Sequence, residues 1–191
     1  MSQPKLGIIV GSTRPCRIGE PIGRWVLKVA GDYGGFETEL IDLAEVNLPF
    51  LDEPDHPRLR NYTQRHTLEW SARVDELDAV VFVTPEYNHG FPAPLKNAID
   101  FLYQEWRYKP AGIVCYGGAS GGTRAAQMLK PVLSVLKMMP ISEGVAIANA
   151  KSIADPDGWV TATPAMERAA GSMFTELERW VHAAAPLRSK V

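Results

Sequence analysis

Three polar loops, each expected to follow a buried strand, contain residue types that suit an anionic ligand with a flat ring. The first, GSTRPCRIG at 11–19, places two hydroxyl groups and the guanidinium groups of Arg14 and Arg17 just before a predicted helix. Helix N-terminal amides favour an anion, and arginine adds forked, charge-assisted hydrogen bonds. The loop lacks both GxxxxGK(S/T) and GxGxxG, which favours a phosphomonoester over a pyrophosphate. Taken alone, two arginines in a turn are more often surface residues than ligands.

The second loop, PEYNHG at 85–90, combines a flat aromatic ring with hydrogen-bonding groups. Tyr87 offers an amphipathic surface, Asn88 a donor and an acceptor, and Gly90 a point of close backbone approach. The same residues would suit a tight turn around a half-buried tyrosine. Histidine as a residue type titrates near neutral pH, but no partner carboxylate or nucleophile is evident for His89, so we do not expect acid–base catalysis there.

The third loop, GGASGG at 117–122, is nearly free of side chains. Its backbone amides could therefore approach the polar edge of a planar ligand, although a flexible connector is the alternative. The three loops follow the first, third and fourth predicted strands. With the strand order 2-1-3-4-5 they would meet at the carboxyl edge of the sheet, where open α/β sheets bind ligands.

Alternating strands and helices must position these loops. Residues 79–83 form a short β-branched and aromatic run without polar alternation, which is typical of a parallel strand buried on both faces. The predicted strands are 5–10, 36–43, 79–83, 111–116 and 140–148, of which the half-exposed second is expected at an edge. Five helices are predicted. The first lies between Gly19 and Gly34, the second near 63–77, and the fourth at 123–137. The third contains Leu95, Ala98, Ile99 and Leu102, and the fifth starts at Pro164 with Thr163 as its N-cap.

Two proline-containing segments are expected to interrupt this pattern. Pro85 should stop the third strand, and 44–61, with three prolines, should form a long surface loop. A shorter irregular stretch is expected at 155–158, before the last helix. The pattern therefore predicts one doubly wound α/β domain, with five parallel strands and helices on both faces.

Size, charge and cysteine content exclude several classes of protein. The 191 residues suit a single domain, and a net charge of −2 gives no electrostatic reason to expect nucleic acid or an acidic membrane as a partner. The chain shows neither an apolar run long enough for a membrane span nor a signal-peptide core, so a cytoplasmic location is expected. Cys16 and Cys115 form neither a metal quartet nor a disulfide framework, and Cys115 is expected to be an inert core residue.

In their order and spacing, GSTRPCRIG, TPEYNHGFPAPLKNAIDFL and YGGASGGTRA resemble the NADPH-dependent FMN reductase family of flavodoxin-like proteins, which includes quinone and azo-dye reductases. The similarity extends from about Lys5 to Ala150. By this resemblance, the FMN phosphate would be held by Ser12, Arg14, Arg17, Ile18 and Gly19, although many relatives have a small residue in place of Arg17. One side of the isoalloxazine would be lined by Pro85, Glu86, Tyr87, Asn88, His89 and Gly90. Its pyrimidine edge would face Gly117, Gly118, Ser120 and Gly121.

The resemblance also implies the chemistry. NAD(P)H would reduce bound FMN by two electrons, and a second small molecule such as free flavin, a quinone or an azo compound would then accept them. The cofactor carries such chemistry, so neither a catalytic side chain nor a metal is expected. The amides of the third loop and the following helix N-terminus would stabilise negative charge on the reduced ring. A flavodoxin-type electron carrier and a flavin-free regulatory or scaffold protein are the alternatives, although a net charge of −2 gives little sign of an acidic docking face.

A homodimer or a pair of dimers, with the flavin site completed across the subunit boundary, is the expected assembly. Phe101, Tyr103, Trp106 and Tyr108 lie close together beyond the second loop, and large aromatic rings with arginine are enriched at interfaces. Relatives with the matching block dimerise through this helix. These aromatics could instead cap the core of a single subunit.

Overall fold

In the described residues, 3–154 and 158–188, five parallel strands form a sheet in the order β2-β1-β3-β4-β5, which confirms the predicted topology. The structure is a computed structural model. Its strands are β1 (Lys5–Val10), β2 (Glu37–Asp42), β3 (Ala79–Pro85), β4 (Pro110–Tyr116) and β5 (Met139–Ile147). The half-exposed β2 lies at one edge of the sheet, as predicted. Of the predicted irregular stretch at 155–158, residues 155–157 lie outside the described residues.

Helices cover both faces of the sheet. One face carries α1 (Gly19–Tyr33) and α6 (Pro164–Arg188); the other carries α3 (Arg65–Asp75), α4 (Ala93–Asp100) and α5 (Thr123–Val135). Successive strand residues point to opposite faces, so Leu6 and Ile8 of β1 pack in the first core while Ile9 packs in the second. Burial on both faces explains why the central strands read as continuous apolar runs.

Two helix ends follow the predicted capping residues. α1 ends where Gly34 takes a left-handed conformation, with φ of 76°, which glycine adopts without a Cβ clash. α6 begins behind Thr163, whose hydroxyl accepts a hydrogen bond from the amide of Met166 at 3.3 Å. Both caps are confirmed.

The third strand is longer than predicted. Thr84 and Pro85 still pair with Cys115 and Tyr116 of β4, and the strand ends at Pro85, as predicted. On the opposite side, the pairing with β1 ends at Val83. Pro85 has no amide hydrogen to donate. Because β1 has no residue paired with Pro85, no hydrogen bond between these two strands is lost.

The predicted loop at 44–61 contains more regular structure than expected. It begins inside a short helix, α2 (Leu43–Val46), and includes a 3-10 turn at Pro57–Leu59. Asp42 starts α2 by accepting the amide hydrogen of Ala44 at 2.9 Å, and Asn47 ends it with φ of 49°. Aspartate and asparagine are favoured at these positions, respectively as an N-cap and as a left-handed C-terminal residue.

The aromatic block after α4 belongs to the core. Phe101 and Trp106 are fully buried, and the indole nitrogen of Trp106 donates to the carbonyl oxygen of Ile99 at 3.0 Å. The Trp106 ring also packs against Trp70 and Phe82. These two aromatics are therefore unavailable to a subunit interface, and the alternative reading, that they cap the core, is correct for them.

Two further observations concern the cysteines and membranes. Cys115 is 4% exposed, as predicted for a core residue, and burial raises the pKa of its thiol to about 11. Cys16 is exposed and free. Over the described ranges, no helix combines the length and apolarity needed to cross a bilayer.

We predict that Trp106→Ala lowers the free energy of unfolding by about 3–5 kcal/mol, because it removes a large buried ring together with the indole N–H that donates to the Ile99 carbonyl. Urea denaturation followed by circular dichroism measures the change. The matched control is Leu68→Ala on α3, where the side chain is 51% exposed and a change below about 0.5 kcal/mol is expected. Equal losses in the two variants would contradict the core placement of Trp106.

Candidate functional site

The loops after β1, β3 and β4 open on one cleft at the carboxyl edge of the sheet, with a volume of about 510 Å³. That volume suits a small-molecule or cofactor site. The predicted residues that line this carboxyl-edge cleft are Arg14, Arg17, Ile18, Pro85, Glu86, Tyr87, Gly117 and Gly118. The remaining predicted residues belong to the same three loops but do not line the cleft: Ser12, Gly19, Asn88, His89, Gly90, Ser120 and Gly121.

A fourth wall of the cleft was not predicted. It is formed by Tyr116 at the end of β4 and by Asn149–Ser152, which follow β5. The amides of Asn149 and Ala150 donate to the carbonyl oxygens of Gly118 and Gly117, at 2.9 and 3.0 Å. The parallel direction of β5 was a usable signal, because its carboxyl end must lie at the same edge as the other loops.

The first loop presents unpaired donors at the start of α1. In the part of the chain that the structure describes, the backbone N–H groups of Ser12 to Arg14 and of Ile18 to Glu20 donate no hydrogen bond to another protein atom, and Ile18 gives α1 no side-chain cap. Arg14 is exposed and has no ion-pair partner within the same residues. Unpaired amides at a helix N-terminus together with a free guanidinium form a site for a phosphate-sized anion.

Arg17 has a different environment from Arg14. Its Nη2 donates to Oδ2 of the buried Asp42 in an ion pair, so part of its guanidinium already serves a protein carboxylate. Local sequence patterns do not reveal this pair, because its members are separated by 25 positions.

Ser12, Gly19 and Tyr116 pack closely beneath the first loop. Ser12 is fully buried, and its hydroxyl lies 2.8 Å from the hydroxyl of Tyr87 across the cleft floor. A Cβ at Gly19 would lie 2.4 Å from the Tyr116 hydroxyl, so only glycine fits beside that ring. Burial raises the pKa of Tyr116, and the phenol therefore stays protonated at neutral pH.

The second loop is a tight two-residue turn. Tyr87 and Gly90 exchange two backbone hydrogen bonds of 2.8 and 2.9 Å, while Asn88 and His89 both have positive φ, at 49° and 70°. This is the pattern of a type I′ hairpin, in which asparagine is favoured. His89 is exposed, and among the described residues no carboxylate or nucleophile is hydrogen-bonded to its ring. The turn holds Tyr87 at the cleft.

Glu86 links the second and third loops. Its carboxylate accepts hydrogen bonds from the amide and the Nε of Arg124, at 3.1 and 2.7 Å. Although partial burial acts to raise the pKa of Glu86, hydrogen bonds from Arg124 and Ser120 lower it overall. The N-terminus of α5 is therefore already capped by a carboxylate. Stabilisation of negative charge at the cleft must come from the amides of the third loop and not from this helix end.

The third loop exposes its backbone to the cleft. An added Cβ at Gly118 would meet no atom within 4 Å, whereas one at Gly122, where φ is 83°, would lie 2.5 Å from the backbone nitrogen of Tyr116. Within the described chain, the amides of Gly118, Ala119 and Ser120 donate to no protein acceptor. Gly118 therefore provides an open wall, and Gly122 allows the loop to turn tightly over β4.

These features suit FMN. The unpaired amides and Arg14 match a phosphomonoester, and the flat opening between Tyr87 and Gly118 presents free amides to a polar ring edge. No cluster of three or more metal-ligating side chains occurs among the described residues.

The sheet order and the position of the cleft define a flavodoxin-like domain. Among solved structures, the chain resembles FerB of Paracoccus denitrificans, a flavoenzyme NAD(P)H:(acceptor) oxidoreductase, with a TM-score of 0.75 and 24% identity over 95% of this chain and 98% of that one. At that identity the likeness concerns the fold.

Sequence comparison identifies the family. The NADPH-dependent FMN reductase family matches residues 4–152. An NAD(P)H-dependent FMN reductase of Schizosaccharomyces pombe is 45% identical over 137 residues, covering 71% of this chain and 68% of that protein. One of Saccharomyces cerevisiae is 40% identical over 154 residues, covering 75% and 80%. The chain belongs to the NADPH-dependent FMN reductase family and is an oxidoreductase whose cofactors are FMN and NAD(P)H.

We predict that Glu86→Gln destabilises the protein at neutral pH and not in acid. The pKa of Glu86 is below the ordinary value of 4.5 in the folded state, so its ionised form stabilises the fold above that value. The contribution disappears as the pH falls through the lowered pKa. Urea unfolding of wild type and variant should therefore differ at about pH 7 and converge as the pH falls below the lowered pKa of Glu86. Glu69→Gln, in an exposed pair with Arg65, is the matched control, and a pH-independent loss in Glu86→Gln would contradict the argument.

Proposed function

We propose that the protein passes two electrons from NAD(P)H, through FMN held in the carboxyl-edge cleft, to a small acceptor such as free flavin, a quinone or an azo compound, by a ping-pong mechanism. The observation that carries this proposal is the pairing of an uncapped α1 N-terminus beside Arg14 with the open, side-chain-free wall at Gly118. Membership of the FMN reductase family supports it.

Each loop has a separate task in this proposal. The amides from Ser12 to Gly19 and the guanidinium of Arg14 bind the phosphate. Pro85 and Tyr87 form one side of the ring site, and the free amides of Gly118 and Ala119 donate to the pyrimidine edge. The bound FMN supplies the electron-transfer chemistry, so the protein acts by binding, orientation and hydrogen bonding.

The shape of the cleft supports the proposal of ping-pong turnover. It is a single opening lined by the loops after four strands, and nicotinamide and acceptor would use the same exposed side of the ring in succession. An exposed His89 without a hydrogen-bonded partner in the described chain supports a reaction without side-chain acid–base catalysis.

We predict that the two half-reactions occur separately. NADPH added without oxygen or acceptor should bleach the yellow FMN-loaded protein, and a quinone added after removal of NADP⁺ should restore the absorption. Steady-state initial rates should give parallel double-reciprocal lines, because the oxidised nicotinamide leaves before the acceptor binds.

Three outcomes would contradict parts of this proposal. A protein that cannot be reconstituted with FMN would exclude flavin chemistry and favour the flavin-free alternative. FMN that binds but is not bleached by either NADPH or NADH would favour an electron carrier. Intersecting lines would exclude successive use of one site.

We also propose that the protein is a homodimer whose interface includes the loop at 47–51. Phe50 is 86% exposed and Leu51 is 41% exposed, an unusual pair for a surface loop. Asn97 of α4 fixes this loop, by donating to the carbonyl of Pro49 at 2.7 Å and accepting the amide of Leu51 at 3.1 Å. Beside it a groove of about 480 Å³ reaches Thr13 of the first loop, which places the surface next to the phosphate site.

We predict that Phe50→Ser shifts the protein toward monomer in sedimentation velocity at micromolar concentration, because it removes an exposed ring from the interface core. Leu187→Ser, at a 50% exposed position on α6, is the control and should leave the sedimentation coefficient unchanged. A monomeric wild type would contradict the assembly without affecting the proposed reaction.

A further inference from the structure

The two arginines of the first loop make different contacts. Nη2 of Arg17 donates to Oδ2 of Asp42, the last residue of β2, whereas Arg14 is exposed and without an ion-pair partner in the described chain. The family resemblance places both arginines at the FMN phosphate. Their contacts in this structure give them separate roles.

Asp42 lies beneath the loop and is committed to the protein on both oxygens. It pairs in register with Val10, the last residue of β1, and is only 5% exposed. Oδ1 accepts the amide hydrogen of Ala44 at 2.9 Å, while Oδ2 accepts from Arg17. A carboxylate buried to this degree requires its counter-charge, because removing one member of a buried pair leaves an uncompensated charge.

Arg17 is bound to Asp42 through Nη2. Its side chain is 20% exposed, and its Nε is buried without a hydrogen-bond partner among the described residues. If the guanidinium of Arg17 moved to a ligand, the buried carboxylate of Asp42 would lose its counter-charge. Because the charges of Arg17 and Asp42 cancel, Arg14 supplies the net positive charge of the loop.

We propose that Asp42 is a positioning residue for FMN binding. By holding Arg17, it fixes the end of the first loop over the first turn of α1, and the phosphate is bound by Arg14 and the loop amides without Arg17. This inference rests on the proposed function, since it concerns the FMN phosphate. In the competing arrangement, the phosphate draws Arg17 away from Asp42, and the two arrangements predict opposite results.

The test uses apoprotein and two ligands that differ only in the phosphate. Dissociation constants for FMN and riboflavin are measured by quenching of flavin fluorescence, and their ratio isolates phosphate recognition. The variants are Asp42→Asn, Arg17→Gln, their combination, and Arg14→Gln. Asparagine caps a helix about as well as aspartate, so Asp42→Asn keeps an oxygen for the Ala44 amide and removes only the charge.

The expected pattern is non-additive. Each single change in the pair should weaken FMN binding about tenfold or more, because it strands a buried charge and disturbs the loop. The double variant should return to within about threefold of wild type, with its preference for FMN over riboflavin preserved. Arg14→Gln should weaken FMN about tenfold to a hundredfold and leave riboflavin binding unchanged.

Two results would overturn the inference. A double variant that loses as much preference for FMN as Arg14→Gln would make Arg17 a direct phosphate ligand. An Asp42→Asn variant that binds FMN more tightly would show that the carboxylate competes with the phosphate.

If the variants fail to fold, a measurement on the wild-type protein still tests the inference. With the arginine side-chain Nε–H resonances assigned by triple-resonance NMR, the Arg14 signal should shift with FMN and not with riboflavin, whereas the Arg17 signal should respond alike to both. An Arg17 shift specific to FMN would refute the inference. Wild type that binds neither flavin would instead refute the proposed function.

Discussion

The cleft depends on the adjacency of β1 and β3, from which the chain departs toward opposite faces of the sheet. After β1 it enters α1 on the face shared with α6, and after β3 it enters α4 on the face shared with α3 and α5. The amide of Gly11 still donates to the carbonyl of Val83 at 2.9 Å, so the strands remain joined up to the point of divergence. Their loops separate only beyond that bond, and the separation opens the site.

At the carboxyl edge of the sheet, two carboxylates behind the cleft walls each bind an arginine. Asp42 neutralises Arg17, and Glu86 binds Arg124 while capping α5. Among the described residues, Arg14 and backbone amides of two glycine-bearing loops are left free for a ligand. Part of the anion-binding capacity therefore resides in the backbone, which keeps its geometry when side chains change rotamer.

Sequence patterns predicted the strands and the loops that form the cleft, because apolar strand runs and glycine-bearing turns are local signals. The order of the strands in the sheet is not a local signal, and its prediction depended on the resemblance to flavodoxin-like proteins. Local patterns did not reveal the partners of Arg17 and Glu86, since the contacts between Arg17 and Asp42 and between Glu86 and Arg124 span 25 and 38 positions. Trp106 was misjudged for a related reason. A local cluster of aromatics looks the same whether it faces a partner or fills a core, and only the position of Trp70 and Phe82 decides between the two.

The close packing of Gly19 against Tyr116 couples substitutions at these two positions. Their atoms leave no space for a Cβ at position 19 while the phenol stands at position 116. A combinatorial library that varies position 19 alone would therefore consist mainly of misfolded or rearranged sites, whereas one that pairs a side chain at 19 with a smaller residue at 116 would sample new shapes of the cleft floor. Along a lineage the same steric rule would let position 19 gain a side chain only together with, or after, a change of Tyr116 to a smaller residue.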